Sequence, residues 1–263
     1  MAILNRAGVK IHYEVHGVGP TVFLSHGFSA TSGMWRQAVA ALSTEYQVIT
    51  WDMRGHGQSD SPQDPAAYTE ANTVADMLAL FEHLEIKNAI VGGLSLGGYM
   101  SLAFYRDHPE RVRSLLIIDT GPGFKKSTAR EAWNRTALDR ADQLEARGLA
   151  ALEGRSPEVL AAQHRSAKGL AYAARGMLTQ RDDSVMQVLP SIRVPALVVV
   201  GADDAPFIPA SNYMASKIPE AQLVVIEDAG HAVNLDQPER FNEVVLNYLT
   251  QLSRGKLEGL RNE

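Results

Sequence analysis

The sequence predicts an α/β protein: a mostly parallel, doubly wound sheet with an inserted helical cap. Three observations carry that prediction. Short apolar runs alternate with stretches of helical periodicity, as parallel strands do when helices cover both faces of their sheet. The alternation stops between Gly121 and Pro190, where stretches rich in Ala, Arg, Leu and Glu follow one another without a convincing strand. The pentapeptide Gly93-Leu94-Ser95-Leu96-Gly97 lies between an apolar run and a helical one, where the chain has to turn sharply.

Residues 9–16 alternate apolar and polar, which predicts a half-exposed strand pairing antiparallel at a sheet edge. After a turn at 17–20, an apolar strand at 21–25 ends in the small-residue loop His26-Gly27-Phe28-Ser29-Ala30. A helix through Met34 and Trp35 to Leu42 leads to a strand at 46–51 and the loop Asp52-Met53-Arg54-Gly55-His56-Gly57-Gln58-Ser59. The helix expected at about 70–84 carries Val74, Met77, Leu78, Phe81 and Leu84 at helical spacing. Residues 88–92 form the strand before the pentapeptide, 98–106 the helix after it, and 112–119 the next strand. Helical stretches at 127–147, 156–165 and 167–180 make up the cap. The sheet resumes at 194–200 and is followed by Gly201-Ala202-Asp203-Asp204, a helix at 209–217 and a strand at 222–226. That strand runs into Glu227-Asp228-Ala229-Gly230-His231, and Pro238 opens a last helix with one apolar stripe from Phe241 to Leu249. The expected division is a core of residues 1–121 and 190–252, a cap of 122–189 and a flexible tail of 253–263.

Composition narrows the function. The 263 residues are 45% hydrophobic and 21% charged, which suits one large soluble domain with an insertion. A net charge of −5 without blocks of like charge favours neither nucleic acid nor an anionic membrane surface. The absence of cysteine excludes disulfides, thiolate nucleophiles and cysteine metal sites, and fits a reducing compartment. No run approaches a membrane span and the first eight residues lack a signal-peptide core, so a cytoplasmic placement is expected. The histidines are scattered, without H-x-x-x-H or H-x-H spacing, and no G-x-G-x-x-G follows the first parallel strand. Neither a metal nor a nicotinamide cofactor is implied.

The strand–turn–helix placement of Ser95 is the context in which a G-x-S-x-G serine becomes a nucleophile. Glycines at 93 and 97 are required there because a Cβ would strike the neighbouring strand and helix. A serine hydroxyl attacks a carbonyl only when a base takes its proton, so a base, an orienting acid and an oxyanion hole must accompany it.

Over residues 8–121 and 190–252 the chain resembles an α/β-hydrolase fold enzyme of the serine carboxylesterase type. The resemblance rests on His26-Gly27-Phe28, on Gly93-Leu94-Ser95-Leu96-Gly97, on Gly201-Ala202-Asp203-Asp204 with Gly230-His231, and on the D-x-R-G-x-G-x-S loop at 52–59. It implies Ser95 as nucleophile, His231 as base, and the backbone N–H groups of Leu96 and Phe28 as the oxyanion hole. The G-x-x-D spacing selects Asp204 as the acid; Asp203 and Asp119 are alternatives, and Asp228 is too near His231 in sequence. His26 is structural on this resemblance and His56 lies in a turn, while His12, His16, His83, His108 and His164 are expected to be solvated. Trp35, Phe124, Trp133, Met177, Phe207 and Val233, with Phe28 and Ile208, are candidates for an apolar pocket beneath the cap. Lys125, Lys126, Arg130 and Arg135 near the cap entrance read as a solvated helix face.

The expected activity is hydrolysis of small to medium acyl esters or lactones through an acyl-enzyme, without a cofactor. A serine at 95 argues against the epoxide hydrolases and haloalkane dehalogenases of this fold, whose nucleophile is an aspartate. Enol-lactonase, carbon–carbon bond hydrolase and cofactor-free perhydrolase or haloperoxidase chemistry use the same triad and stay open. So does a non-catalytic binding role on the same fold.

Overall fold

The computed structural model describes residues 2–255. Eight strands form one sheet: β1 (Ala2–Arg6), β2 (Val9–His16), β3 (Thr21–Ser25), β4 (Gln47–Trp51), β5 (Ala89–Leu94), β6 (Val112–Ile118), β7 (Ala196–Gly201) and β8 (Ala221–Ile226). Their spatial order is β1-β2-β4-β3-β5-β6-β7-β8. The pairs β1–β2 and β2–β4 are antiparallel, and every pair from β4–β3 to β7–β8 is parallel. The predicted fold class is therefore the observed one. β2 is antiparallel as expected but does not lie at the edge. A hairpin through Ala7 and Gly8, both at positive φ, adds β1 outside it.

Alternate residues along the parallel strands point to opposite faces. Phe23, Ile49, Val91, Leu115, Ile117 and Val198 face one apolar cluster, and Val22, Val48, Ile90, Leu116, Leu197 and Val199 face the other. On the first face lie α2 (Glu70–His83) and α3 (Leu96–Asp107), where Phe81 packs on Phe23 at 5.2 Å and on Phe104 at 5.0 Å. On the second lie α1 (Arg36–Leu42) and α10 (Pro238–Ser253), whose Phe241, Val245, Tyr248 and Leu249 are buried along the predicted stripe. Ser253 still belongs to α10; of the expected tail, residues 256–263 lie outside the described residues.

Between β6 and β7 the described chain is helical: α4 (Ser127–Arg147), α5 (Pro157–Leu160), α6 (Ala167–Ala173) and α7 (Ser184–Val188). α6 runs on into a π-helical segment at Ala174–Leu178. The helix expected at 156–165 is a single turn, because α5 gives way to an irregular path that delivers His164 onto the core. Cap and core meet closely at Gly176, where a Cβ would stand 1.6 Å from the Tyr68 carbonyl oxygen. After β7 come α8 (Ile208–Lys217) and, beyond β8, the short α9 (Val233–Asp236). No helix among the described residues is long and apolar enough to cross a membrane.

Candidate active site

The residues expected as nucleophile, base, acid and oxyanion hole lie at the carboxyl ends of the parallel strands, where ligands of such sheets bind. Phe28 follows β3, Ser95 follows β5, Asp119 follows β6, Asp204 follows β7 and His231 follows β8. Ser95 stands at φ 54°, a left-handed conformation that a side chain adopts only under strain. The strain is maintained by close approach on both sides. A Cβ on Gly93 would lie 2.5 Å from the Ser25 carbonyl oxygen, and one on Gly97 would lie 2.2 Å from it. The Ser95 N–H donates to Ile118 O at 2.9 Å and its carbonyl accepts from Thr120 Oγ1 at 2.6 Å, so the turn is held from β6 as well.

His231 Nδ1 lies 2.8 Å from Asp204 Oδ2, and Asp204 is buried at 5% exposure. The Phe207 ring stacks on the imidazole with centroids 4.8 Å apart. Burial acts to lower the His231 pKa. The hydrogen bond and charge of Asp204, helped by Asp119 and Glu158, outweigh it, and the imidazole titrates above its ordinary value. Asp203, by contrast, is exposed, with its N–H donating to Ala229 O at 2.9 Å. Asp119 makes no hydrogen bond to His231. Its Oδ1 accepts from Gly201 N–H at 2.9 Å and its Oδ2 from Val233 N–H at 3.3 Å, so it ties the Asp204 loop to the His231 loop. Burial, with the Asp204 charge adding to it, raises its carboxyl to about 8 against the pull of those N–H groups and His231.

Among the described residues, neither Phe28 N–H nor Leu96 N–H donates to a backbone carbonyl, which leaves both for a ligand. The loop carrying Phe28 is braced from behind. His26 Nε2 accepts from Met53 N–H at 3.0 Å, and Asp52 accepts from Ser32 N–H at 2.7 Å and Gln58 N–H at 2.8 Å. The loop at 52–59 is thus a scaffold for the Phe28 loop, and its Arg54 is spent on Asp76 at 2.8 Å.

Two chambers are lined in part by Ser95. One, of about 240 Å³, is mostly apolar, and Phe124, Trp133, Met177 and Phe207 line it as expected, with Tyr99 and Thr120 in addition. The other, of about 250 Å³, is more polar and is lined by Phe28, Ser95 and His231 from the core and by Arg140, Ser156 and Glu158 from the cap. Trp35, Val233 and Ile208 line neither. Trp35 is fully buried on the far face of the sheet against Phe241, at 6.3 Å, because the turn that carries it leads into α1. Val233 is fully buried in the same cluster, and only its backbone N–H reaches the site.

Of the histidines expected in solvent, one is buried and another is half-buried between cap and core. His12 is 2% exposed, with Nδ1 3.3 Å from Asp52 Oδ2. His164 bridges cap and core, its Nε2 bonding Ser29 O at 2.9 Å and its Nδ1 accepting from Gly57 N–H at 3.1 Å. Lys125, Lys126 and Arg135 are exposed, and Arg130 Nη1 donates to Phe124 O at 2.9 Å. The basic residues that line the polar chamber are Arg140 and Arg155, neither of them singled out from the sequence. For Arg140 the available signal was its place between Ala137 and Leu144, both buried on the inner side of α4. No group of metal-ligating side chains able to hold an ion occurs among the described residues.

A serine at a strained strand-to-helix turn, with a His–Asp pair on later strand ends of a parallel sheet, defines the class of protein. The chain belongs to the alpha/beta hydrolase family, whose model matches residues 22–244. Among its relatives is 3-oxoadipate enol-lactonase 1 of Acinetobacter baylyi, 30% identical over 95% of this chain and 97% of its own. A thermophilic esterase from Thermogutta terrifontis superposes with a TM-score of 0.79 at 31% identity, covering 95% of this chain and 98% of its own. An enol-lactonase from Burkholderia xenovorans LB400 superposes with a TM-score of 0.75 at 26% identity, covering 95% and 100%.

Proposed function

We propose that this chain is a serine hydrolase of carboxylic esters, acting on small to medium acyl esters or lactones with Ser95, His231 and Asp204 as its triad. The observation that carries the reading is the 2.8 Å His231–Asp204 bond, with His231 lining the same chamber as the positive-φ serine. Ser95 Oγ attacks the carbonyl carbon as His231 Nε2 takes its proton, and Asp204 holds Nδ1–H and stabilises the imidazolium. The Phe28 and Leu96 N–H groups receive the developing oxyanion. Collapse of the tetrahedral intermediate breaks the ester bond, and His231 returns its proton to the alcohol oxygen. A water molecule, deprotonated by His231, then releases the acid from Ser95. Residues 122–189 act as a cap that shapes both chambers. The esterase and enol-lactonase relatives support this chemistry, and a lactone is the intramolecular case, with the leaving oxygen staying tethered to the acyl group.

The test is Ser95→Ala, expected to abolish turnover of activated esters while leaving the folded secondary structure unchanged by circular dichroism. A fluorophosphonate should label Ser95 alone in the wild-type protein. Substantial turnover by the folded variant, or labelling at another residue, refutes the assignment.

A further inference from the structure

The two chambers differ in which catalytic groups face them. His231 lines the polar chamber and not the apolar one. In the first half of the proposed reaction His231 must hand its proton to the departing oxygen, so the alcohol half has to lie on the side His231 faces. The acyl half is left to the chamber of Phe124, Trp133 and Met177.

The cap side of the polar chamber carries unspent polar groups. Among the described residues the Arg140 guanidinium has no hydrogen-bond partner, although Arg140 is half-buried on α4 between the buried Ala137 and Leu144. Burial, with the neighbouring Arg155, lowers its pKa against the attraction of Glu158. It stays charged at any working pH, since arginine does not deprotonate in proteins. Glu158 is 4% exposed; its Oε1 accepts from Ser156 Oγ, while its Oε2 is buried without a partner. A buried acceptor left bare is costly unless a bound group or water donates to it, so Glu158 marks the chamber as polar and fit for water or a donor, while an anion's place in it is with the guanidinium. Arg140 and Arg155 against Glu158 set two cations against one anion on its walls. A planar guanidinium with free N–H groups matches a carboxylate through paired hydrogen bonds.

We infer that the polar chamber takes the alcohol half of the substrate and that Arg140 selects alcohols bearing a carboxylate. The inference rests on the ester-hydrolase reading above. It makes the substrate an ester of an apolar acid with a hydroxylated carboxylic acid. Arg140 is a specificity residue in it, with no part in moving the proton.

The experiment compares meta-(butyryloxy)benzoate with its methyl ester, which share the acyl group and the ring and differ in charge. Wild-type kcat/KM should favour the carboxylate by about 10- to 100-fold. Arg140→Gln should collapse that ratio and Arg140→Lys should restore part of it. A binding measurement reads the chamber without turnover: the Ser95→Ala protein, titrated calorimetrically with meta-hydroxybenzoate and its methyl ester, should prefer the former. That preference should vanish when Arg140→Gln is added. Equal kcat/KM for the two esters, or a preference that survives Arg140→Gln, overturns the role of Arg140 and leaves the ester-hydrolase reading standing. Inertness toward both esters together with an unlabelled Ser95 overturns both.

Discussion

Asp204, Asp119 and Asp203 are the three candidates for the acid that orients His231, and their surroundings give them different work. Only Asp204 bonds the imidazole; Asp119 holds backbone N–H groups on two loops, and Asp203 faces solvent. Asp204→Asn should therefore lower kcat by orders of magnitude, up to about 10⁴-fold, because an amide can hold the imidazole in the wrong tautomer. Asp119→Asn should cost less and Asp203→Asn least, and saturating-substrate rates for the three variants rank them. A severe loss confined to Asp119→Asn or Asp203→Asn would move the acid. The same environment predicts the pH profile. In the proposed mechanism His231 acts as a base only when neutral, and Asp204 raises its pKa, so kcat/KM should climb with pH through a midpoint above ~6.5. A rate already flat below pH 6 contradicts a histidine base with a raised pKa.

At the scale of elements, the strands and the elbow follow from local pattern, while the cap does not. β5 ends in a turn that two glycines make possible, and that requirement is visible in the spelling of the pentapeptide. β1 was missed because five residues that alternate half-buried and exposed, with the apolar Ile3 on the exposed side, carry no apolar alternation until β2 pairs with them. In α4 only Ala137, Ala141 and Leu144 are fully buried, so a helix of 21 residues has a narrow apolar stripe dominated by alanine. Its facing side cannot be read from hydrophobicity alone. The cap is seated by close backbone approach, which gives a test. Gly176→Ala puts a Cβ into the Tyr68 carbonyl and should destabilise the protein by about 1–3 kcal/mol, read as a lower Tm. Because Met177 lines the apolar chamber, KM for the longer acyl esters should rise as well. A variant with wild-type Tm would mean that the cap does not rest on Tyr68.

For the whole molecule, one sheet with an apolar layer on each face supports every site loop at a common edge. Phe81 of α2 packs on both Phe23 of the sheet and Phe104 of α3, the helix that begins after Ser95. Phe81→Ala should cost about 3–5 kcal/mol in denaturant unfolding, since the cavity cannot close against a rigid sheet. A loss below about 1 kcal/mol would show that this layer repacks freely. The parallel sheet, the strained turn at Ser95 and the strand-end positions of Asp204 and His231 were determined by sequence alone. Strand patterns, glycines and spacing are local properties, and each survives being read without the rest of the chain. Tertiary structure decided that Trp35 and Val233 belong to the far face, that His12 is buried and His164 bridges cap and core, and that Arg140 and Glu158 line one chamber with His231. Those outcomes depend on which helix packs over which face, and a helix of weak amphipathicity takes its orientation only from the surface it lands on.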